Sequence, residues 1–258
     1  MHCEILTLFP GFVREAVSYS MLKRAQEKGL LHVRIHDIRD YTDDPHRTAD
    51  DAPYGGGAGM IMKAEPLFRA VDAVRAQCGA FRLILPSPQG EPFTQRLAQD
   101  LSREERPLVF ICGHYEGFDE RIRLGLGGQE VSIGDYVVTG GELPTLVMID
   151  AAVRLIPGVL GDPTSAQYDS FTDGLLDYPH YTRPVRVRGL EVPPVLLSGN
   201  HKAIHRWRRK EALRNTYCKR PDLLKDRVLS QEDRRLLEEV LQEEACEWPL
   251  GEPQGSVT

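Results

Sequence analysis

Short apolar runs rich in β-branched residues alternate with longer amphipathic stretches through the first 155 residues, the pattern that yields a parallel sheet covered by helices. Strands are expected at Cys3–Phe9, Leu31–Ile38, Phe81–Leu85 and Leu108–Cys112. Helices are expected at Ser20–Lys28 closed by Gly29, at Pro66–Gln77 before Gly79, at Thr94–Leu101, and at Pro144–Leu155 before Pro157-Gly158. Two long stretches break the alternation, Ile38 to Ala64 and Gly158 to Arg183. Segments of that length without regular structure are usually functional or disordered inside a compact domain, and the second one reads as a domain boundary. After it come a short Pro-rich piece, a basic helix near 200–218, an amphipathic acidic helix near 231–245, and a frayed tail from 249.

Composition narrows the class. The chain has 258 residues, 41% hydrophobic and 27% charged, which excludes a collagen-like or wholly disordered polymer. No apolar run approaches the ~18 residues of a membrane span. The first ten residues lack the basic start and long apolar core of a secretion signal, so a cytoplasmic protein without a membrane partner is expected. Cysteines stand at 3, 78, 112, 218 and 246, an odd number with no C-x-x-C, which argues against disulfides and a structural zinc site. His201 and His205 share helical i, i+4 spacing but lack the glutamate of H-E-x-x-H, so no metal site is expected.

The net charge of −6 is unevenly divided: residues 1–181 carry −9, residues 182–227 carry +9, and residues 228–258 carry −6. The basic segment interleaves Lys and Arg with Trp207 and Tyr217. Cations neutralise phosphates while rings stack on unpaired bases, so a nucleic-acid surface fits. A solvated helix face with a buried Trp207 fits as well, and the two readings are compatible.

Tyr54-Gly55-Gly56-Gly57-Ala58-Gly59 could cradle an anion, yet it lacks the G-x-x-x-x-G-K-[ST] spacing, and Phe9-Pro10-Gly11-Phe12 replaces any G-x-G-x-x-G after the first strand. A mobile glycine-rich lid is the preferred reading, a plain flexible loop the alternative. Three loops at the ends of later strands carry more: Leu85 to Gly90, Cys112 to Gly117, and Ser132 to Pro144. Ligands of open α/β sheets bind beyond the carboxyl ends of the strands, where these loops would gather into a pocket lined by main chain. Periodicity alone points to an unknotted, doubly wound sheet, because threaded chains are rare.

Joined to Tyr54-Gly55-Gly56-Gly57, Asp169-Ser170-Phe171, Tyr178 to Pro184 and Val192 to His201, these loops make the chain resemble the bacterial tRNA (guanine-N1)-methyltransferases, which modify the guanosine just 3′ of the anticodon. The resemblance runs from Phe9 to about Leu224. It implies an α/β fold of the SPOUT class: a trefoil-knotted parallel-sheet domain at 1–158 that binds S-adenosylmethionine, a flexible linker at 159–182 carrying the general base, a helical tRNA-binding domain at 183–246, and a disordered tail at 247–258. It implies a homodimer whose active sites are shared between subunits. The implied cofactor residues are Pro86, Ser87, Pro88, Gln89 and Gly90; Gly113, His114, Tyr115, Glu116 and Gly117; and Ser132, Ile133, Gly134, Tyr136, Val138, Gly140, Gly141 and Pro144. At 114 many relatives carry Arg where this chain has His.

The same resemblance makes Asp169 the general base at guanine N1 and Arg154 the cation that stabilises charge on guanine O6. Asp50, Gly59, Ser165, His180, His201, Arg206, Arg208 and Arg209 are implied to face the tRNA. No metal is needed by the transfer itself, although Mg2+ could act through the tRNA. Without the resemblance, Asp169 reads as a turn residue and Arg154 as a helix C-terminal cation. A knotted methyltransferase of ribosomal RNA and a non-catalytic RNA-binding protein are the competing readings.

Overall fold

The computed structural model describes residues 1–161, 169–225 and 227–247. Its first apolar run is strand β1 (His2–Thr7), followed by helices α1 (Pro10–Ala16) and α2 (Ser20–Glu27) and strand β2 (His32–Asp37). After a long connection containing the two-residue strands β3 (Asp50–Asp51) and β4 (Ile61–Met62) come α3 (Ala64–Cys78), β5 (Arg82–Pro92), α4 (Gln95–Ser102), β6 (Leu108–Ile111), α5 (Arg121–Leu126), β7 (Gln129–Ser132) and α6 (Glu142–Val153). Five of the strands form one parallel sheet in the order β2-β1-β6-β5-β7. Ile5 stands opposite both Ile35 and Phe110 in this register.

The alternation along β1 sorts its residues between two cores. Cys3 and Ile5 pack with Phe110, Ile84, Met148 and Ala152 on one face. Leu6 and Leu8 pack with Leu85, Val109, Ile111 and the α3 residues Leu67, Val71 and Val74 on the other. Both faces are therefore covered, which is why these strands read as nearly continuous apolar runs. Local chemistry agrees at the helix starts: the Thr94 hydroxyl accepts from Leu97 N at 3.3 Å, and the Asn200 side chain caps its own helix by accepting from Ala203 N at 3.2 Å.

The structure departs from the sequence pattern in several places. Helices α1 and α5 and strand β7 were not foreseen, all being short. Strand β5 continues past Leu85 to Pro92, and its pairing with β7 shifts register between Pro86 and Glu91. The Ile38–Ala64 connection is partly ordered rather than a bare loop. A 3₁₀ turn at Ile38–Tyr41 is capped by Asp37, and β3 and β4 pair antiparallel at Asp50↔Met62 and Asp51↔Ile61.

The chain divides into two compact units, residues 1–163 and 164–258. In the second, a hairpin of β8 (Arg186–Val187) and β9 (Leu190–Glu191) precedes α7 (Pro194–Leu197), α8 (His201–Lys219) and α9 (Gln231–Glu247). Its core is small: Leu175, Leu213 and Leu236, flanked by Leu224 and Leu229. From 169 onward the segment read as a linker is fastened to α8. Leu176 N donates to the Thr216 hydroxyl at 2.9 Å, and the Asn215 amide donates to Asp177 O at 2.7 Å.

Candidate active site and nucleic-acid face

Beyond the carboxyl ends of β6 and β7, and against the part of β5 where its register shifts, lies a cavity of about 240 Å³. Three segments enclose it, Pro86 to Gln89 within β5, Gly113 to Phe118, and Val131 to Pro144. Every residue implied for the cofactor lines it except Gly90. Gly90 instead presses against the backbone of Glu130 and Val131, so its missing Cβ serves the contact between β5 and β7. Val137 and Thr139 also line the cavity from within the expected Ser132–Pro144 loop, and Phe118, Arg123 and Val131 line it from outside the expected loops.

Close main-chain approach shapes this cavity. A Cβ on Gly141 would stand 2.7 Å from Cys112 Cα and 2.9 Å from Gly113 N. Gly141 N donates to Gly113 O at 2.7 Å, and His114 pairs with Gly140 as an isolated antiparallel bridge. Below them the buried Thr7 hydroxyl donates to Glu142 Oε1 at 2.6 Å, joining the end of β1 to the first turn of α6. Burial and then the Glu142 carboxylate push the Cys112 thiol well above its ordinary range, so this fully buried cysteine is no nucleophile. His114 Nδ1 is buried with no hydrogen-bond partner among the described residues, and its ring lies 4.8 Å from that of Phe9.

The glycine-rich connection reaches the same cavity wall. Glu116 N donates to Met60 O at 3.1 Å, Met62 N donates to Gly117 O at 3.0 Å, and Asp119 N donates to Met62 O at 3.0 Å. A Cβ on Gly59 would stand 2.6 Å from the Glu116 carboxylate. Burial, and then the neighbouring Asp50 carboxylate, hold the Tyr115 phenol above its usual range. Asp50 and Gly59 thus adjoin two residues of the cavity, while Tyr54 is fully exposed. Arg154 caps the C-terminus of α6 in the same unit, its N–H donating to Asp150 O at 3.3 Å.

These features fit a nucleoside-bearing cofactor. Five glycines, at 113, 117, 134, 140 and 141, line the cavity, and the buried His114 Nδ1 has no hydrogen-bond partner among the described residues.

Asp169 belongs to the second unit. With Asp173, His205, Arg208 and Arg209 it lines a cavity of about 300 Å³, and its carbonyl accepts from Thr172 N at 3.2 Å. Ser165 lies outside the described residues. A neighbouring cavity of about 360 Å³ is lined by Tyr178, His180, Tyr181, Trp207 and Arg208 among others. Arg208 lies over the Tyr178 ring at 4.9 Å, and Tyr178 faces His180 at 4.6 Å. Trp207 is half-buried and 6.4 Å from Tyr181, so it is neither plain core nor free surface. His180 Nε2 lies 2.8 Å from Asp177 Oδ2, and His201 is exposed at the start of α8.

Two cations expected to face the tRNA also make ion pairs inside the unit. Arg206 pairs with Glu239; Arg209 grips Asp233 in two bonds of 2.6 and 2.9 Å and also pairs with Asp173. Lys210 lies 2.6 Å from Glu243, and Arg214 lies 2.5 Å from the same carboxylate. The acidic face of α9 neutralises one face of α8, a pairing that the separate charge runs did not reveal.

The family model described as tRNA (Guanine-1)-methyltransferase TrmD matches residues 1–226. A protein of Moorella thermoacetica named tRNA (guanine-N(1)-)-methyltransferase is 55% identical over 251 residues, covering 96% of this chain and all of that protein. Proteins of the same name from Geobacillus kaustophilus and Bacillus cereus are each 53% identical, covering 93% and 95% of this chain and 98% and 100% of their own lengths. The chain belongs to the tRNA (guanine-1)-methyltransferase family.

Proposed function

We propose that this protein transfers a methyl group from S-adenosylmethionine to N1 of the guanosine immediately 3′ of the anticodon in tRNA. The observation that carries the reading is a glycine-lined cavity on which three segments distant in sequence converge near the carboxyl ends of parallel strands. The names of the relatives supply the substrate.

Bound in that cavity, S-adenosylmethionine supplies an electrophilic methyl on a sulfonium. The main chain of Gly113–Gly117 and Ser132–Gly141 would hold the adenine and ribose, and Glu116 would face the methionine part. Guanine N1 carries a proton at neutral pH, so nucleophilic attack requires that proton to leave. The carboxylate of Asp169 takes it, and Arg154 stabilises the negative charge that builds on O6. Arg208, His180 and the Tyr178, Tyr181 and Trp207 rings offer the stacking and cationic surface that single-stranded loops of RNA require. The reading includes a trefoil-knotted SPOUT fold, a homodimer with shared sites, and work in the cytoplasm.

Transfer of labelled methyl to two tRNAs, identical except for adenine in place of the target guanine, tests this. Label at N1 in the guanine tRNA alone is the expected result. Label in ribosomal RNA but not tRNA, or tRNA binding without cofactor binding, overturns it in favour of the competing readings.

A further inference from the structure

Glu4 is fully buried on β1, and its carboxylate is surrounded by groups of a particular kind. His2 and Glu4 stand two residues apart on the same face of the strand, and Cys78, the last residue of α3, closes over them. His2 Nε2 lies 2.8 Å from Glu4 Oε1, and Cys78 Sγ lies 3.4 Å from the same oxygen. The three donor atoms all lie within 4.8 Å of one another. Bonds to zinc run about 2.0–2.3 Å, which sets neighbouring ligands roughly 3.3–3.8 Å apart, so small side-chain adjustments bring all three onto one ion.

A second observation concerns what holds the carboxylate. Its other oxygen, Oε2, lies 2.6 Å from His36 Nε2, and His36 Nδ1 lies 2.9 Å from the Tyr41 hydroxyl. Ligating carboxylates are ordinarily fixed by such outer hydrogen bonds. The His2 side chain is 34% exposed, which leaves the cluster open to solvent on one side.

From this geometry we propose that His2, Glu4 and Cys78 form a binding site for a divalent transition-metal ion, zinc foremost, with water in a fourth position. Imidazole, thiolate and carboxylate together suit zinc and cobalt, not magnesium or calcium. On binding, the Cys78 thiol releases its proton to solvent, and thiolate plus carboxylate balance the two positive charges. Arg34 is the competitor: its guanidinium lies 3.5 Å from Glu4 Oε1 but 2.7 Å from Gln77 Oε1, so it can yield the carboxylate and stay anchored. The site sits at the amino end of β1, at the opposite end of the sheet from the cofactor cavity. The ion would therefore fasten β1 to the end of α3 and act on stability rather than on methyl transfer.

The test is titration of the full-length, tag-free, reduced protein with Co2+, followed by displacement with Zn2+. One equivalent with a sulfur-to-cobalt charge-transfer band is expected. Cys78→Ser abolishes the band, His2→Gln weakens binding at least about tenfold, His36→Gln weakens it about 10–100-fold while keeping the band, and Arg34→Gln tightens it. Zn2+ raises the Tm of the wild type and leaves that of Cys78→Ser unchanged. Absence of the band, or a band that survives Cys78→Ser and disappears with Cys218→Ser, overturns the proposal. If Cys78→Ser fails to fold, the His2→Gln affinity decides: an unchanged value overturns it.

Discussion

At Gly141 the constraint is spatial, and at Asp169 the proposed one is chemical. Gly141 has ordinary backbone angles, so its demand is purely spatial: an added methyl meets Cys112 Cα at 2.7 Å with no flexible neighbour to give way. Gly141→Ala is expected to cost about 1–3 kcal/mol and to weaken S-adenosylmethionine binding. Thermal denaturation and calorimetry check this against Gly11→Ala, which meets nothing within 4 Å and should be neutral or stabilising. Asp169→Asn keeps shape and removes the proton acceptor, so kcat should fall about 10²–10⁴-fold with Tm and cofactor affinity preserved, as single-turnover assays would read. Wild-type turnover would remove Asp169 from its role. The segments that line the cavity were legible because their glycines and prolines are contiguous motifs. Phe118, Arg123 and Val131 were not, because they reach the cavity only through a register and a turn that no local pattern specifies. The His2, Glu4 and Cys78 cluster escaped for the same reason, its members lying up to 76 positions apart with none of the spacings typical of zinc sites.

Among the elements, α8 and α9 interact in a way that neither helix announces alone. Both were foreseen, α8 from its basic run and α9 from its acidic amphipathic one, yet their charges were read separately. In the fold, Glu239 and Glu243 occupy Arg206, Lys210 and Arg214, and what remains open lies on the side of Arg208, His205 and Trp207. Replacing both glutamates, Glu239→Gln with Glu243→Gln, should cost little stability, because exposed pairs contribute about 0–1 kcal/mol each. It should tighten tRNA binding and steepen its salt dependence by up to roughly 2 in log–log slope. Filter binding across a salt series measures this, and an unchanged slope means these cations never reach phosphate. The sheet shows the complementary lesson. Strands β1 and β6 and the first half of β5 were legible as apolar runs because both faces are buried, whereas the edge strand β2 alternates Val33 and Ile35 with the exposed His32 and Arg34. The four-residue β7 was hidden because Gln129 and Glu130 interrupt its apolar character.

At the scale of the whole molecule, the two units are stabilised by different means, and acid should separate them. The first unit rests on two apolar clusters that cover both faces of a five-stranded sheet. The second has three buried leucines at its centre among the described residues and relies more on the partly buried pairing of Arg209 with Asp233 and Asp173. Hydrogen bonds from Arg209 hold the Asp233 carboxyl below its usual range; burial would raise Asp173, but Arg209 outweighs it and lowers that group too. Lys210, with Arg206 and Arg214, lowers Glu239 and Glu243 in the same way. A carboxylate whose pKa is depressed by folding stabilises the fold above its unfolded value, here 3.8 for Asp and 4.5 for Glu, and that contribution fades as pH falls through the lower folded value. The second unit should therefore lose structure first on acidification below about pH 4, while the larger apolar cores keep the first unit folded. The first unit contains no tryptophan, so tryptophan fluorescence does not report on it, and Trp207 reports on the second. In an acid titration the fluorescence change is expected at higher pH than the main loss of far-ultraviolet circular dichroism. Coincident transitions would mean that the two units unfold as one, and that the ion pairs of α8 and α9 do not set the acid limit of the second.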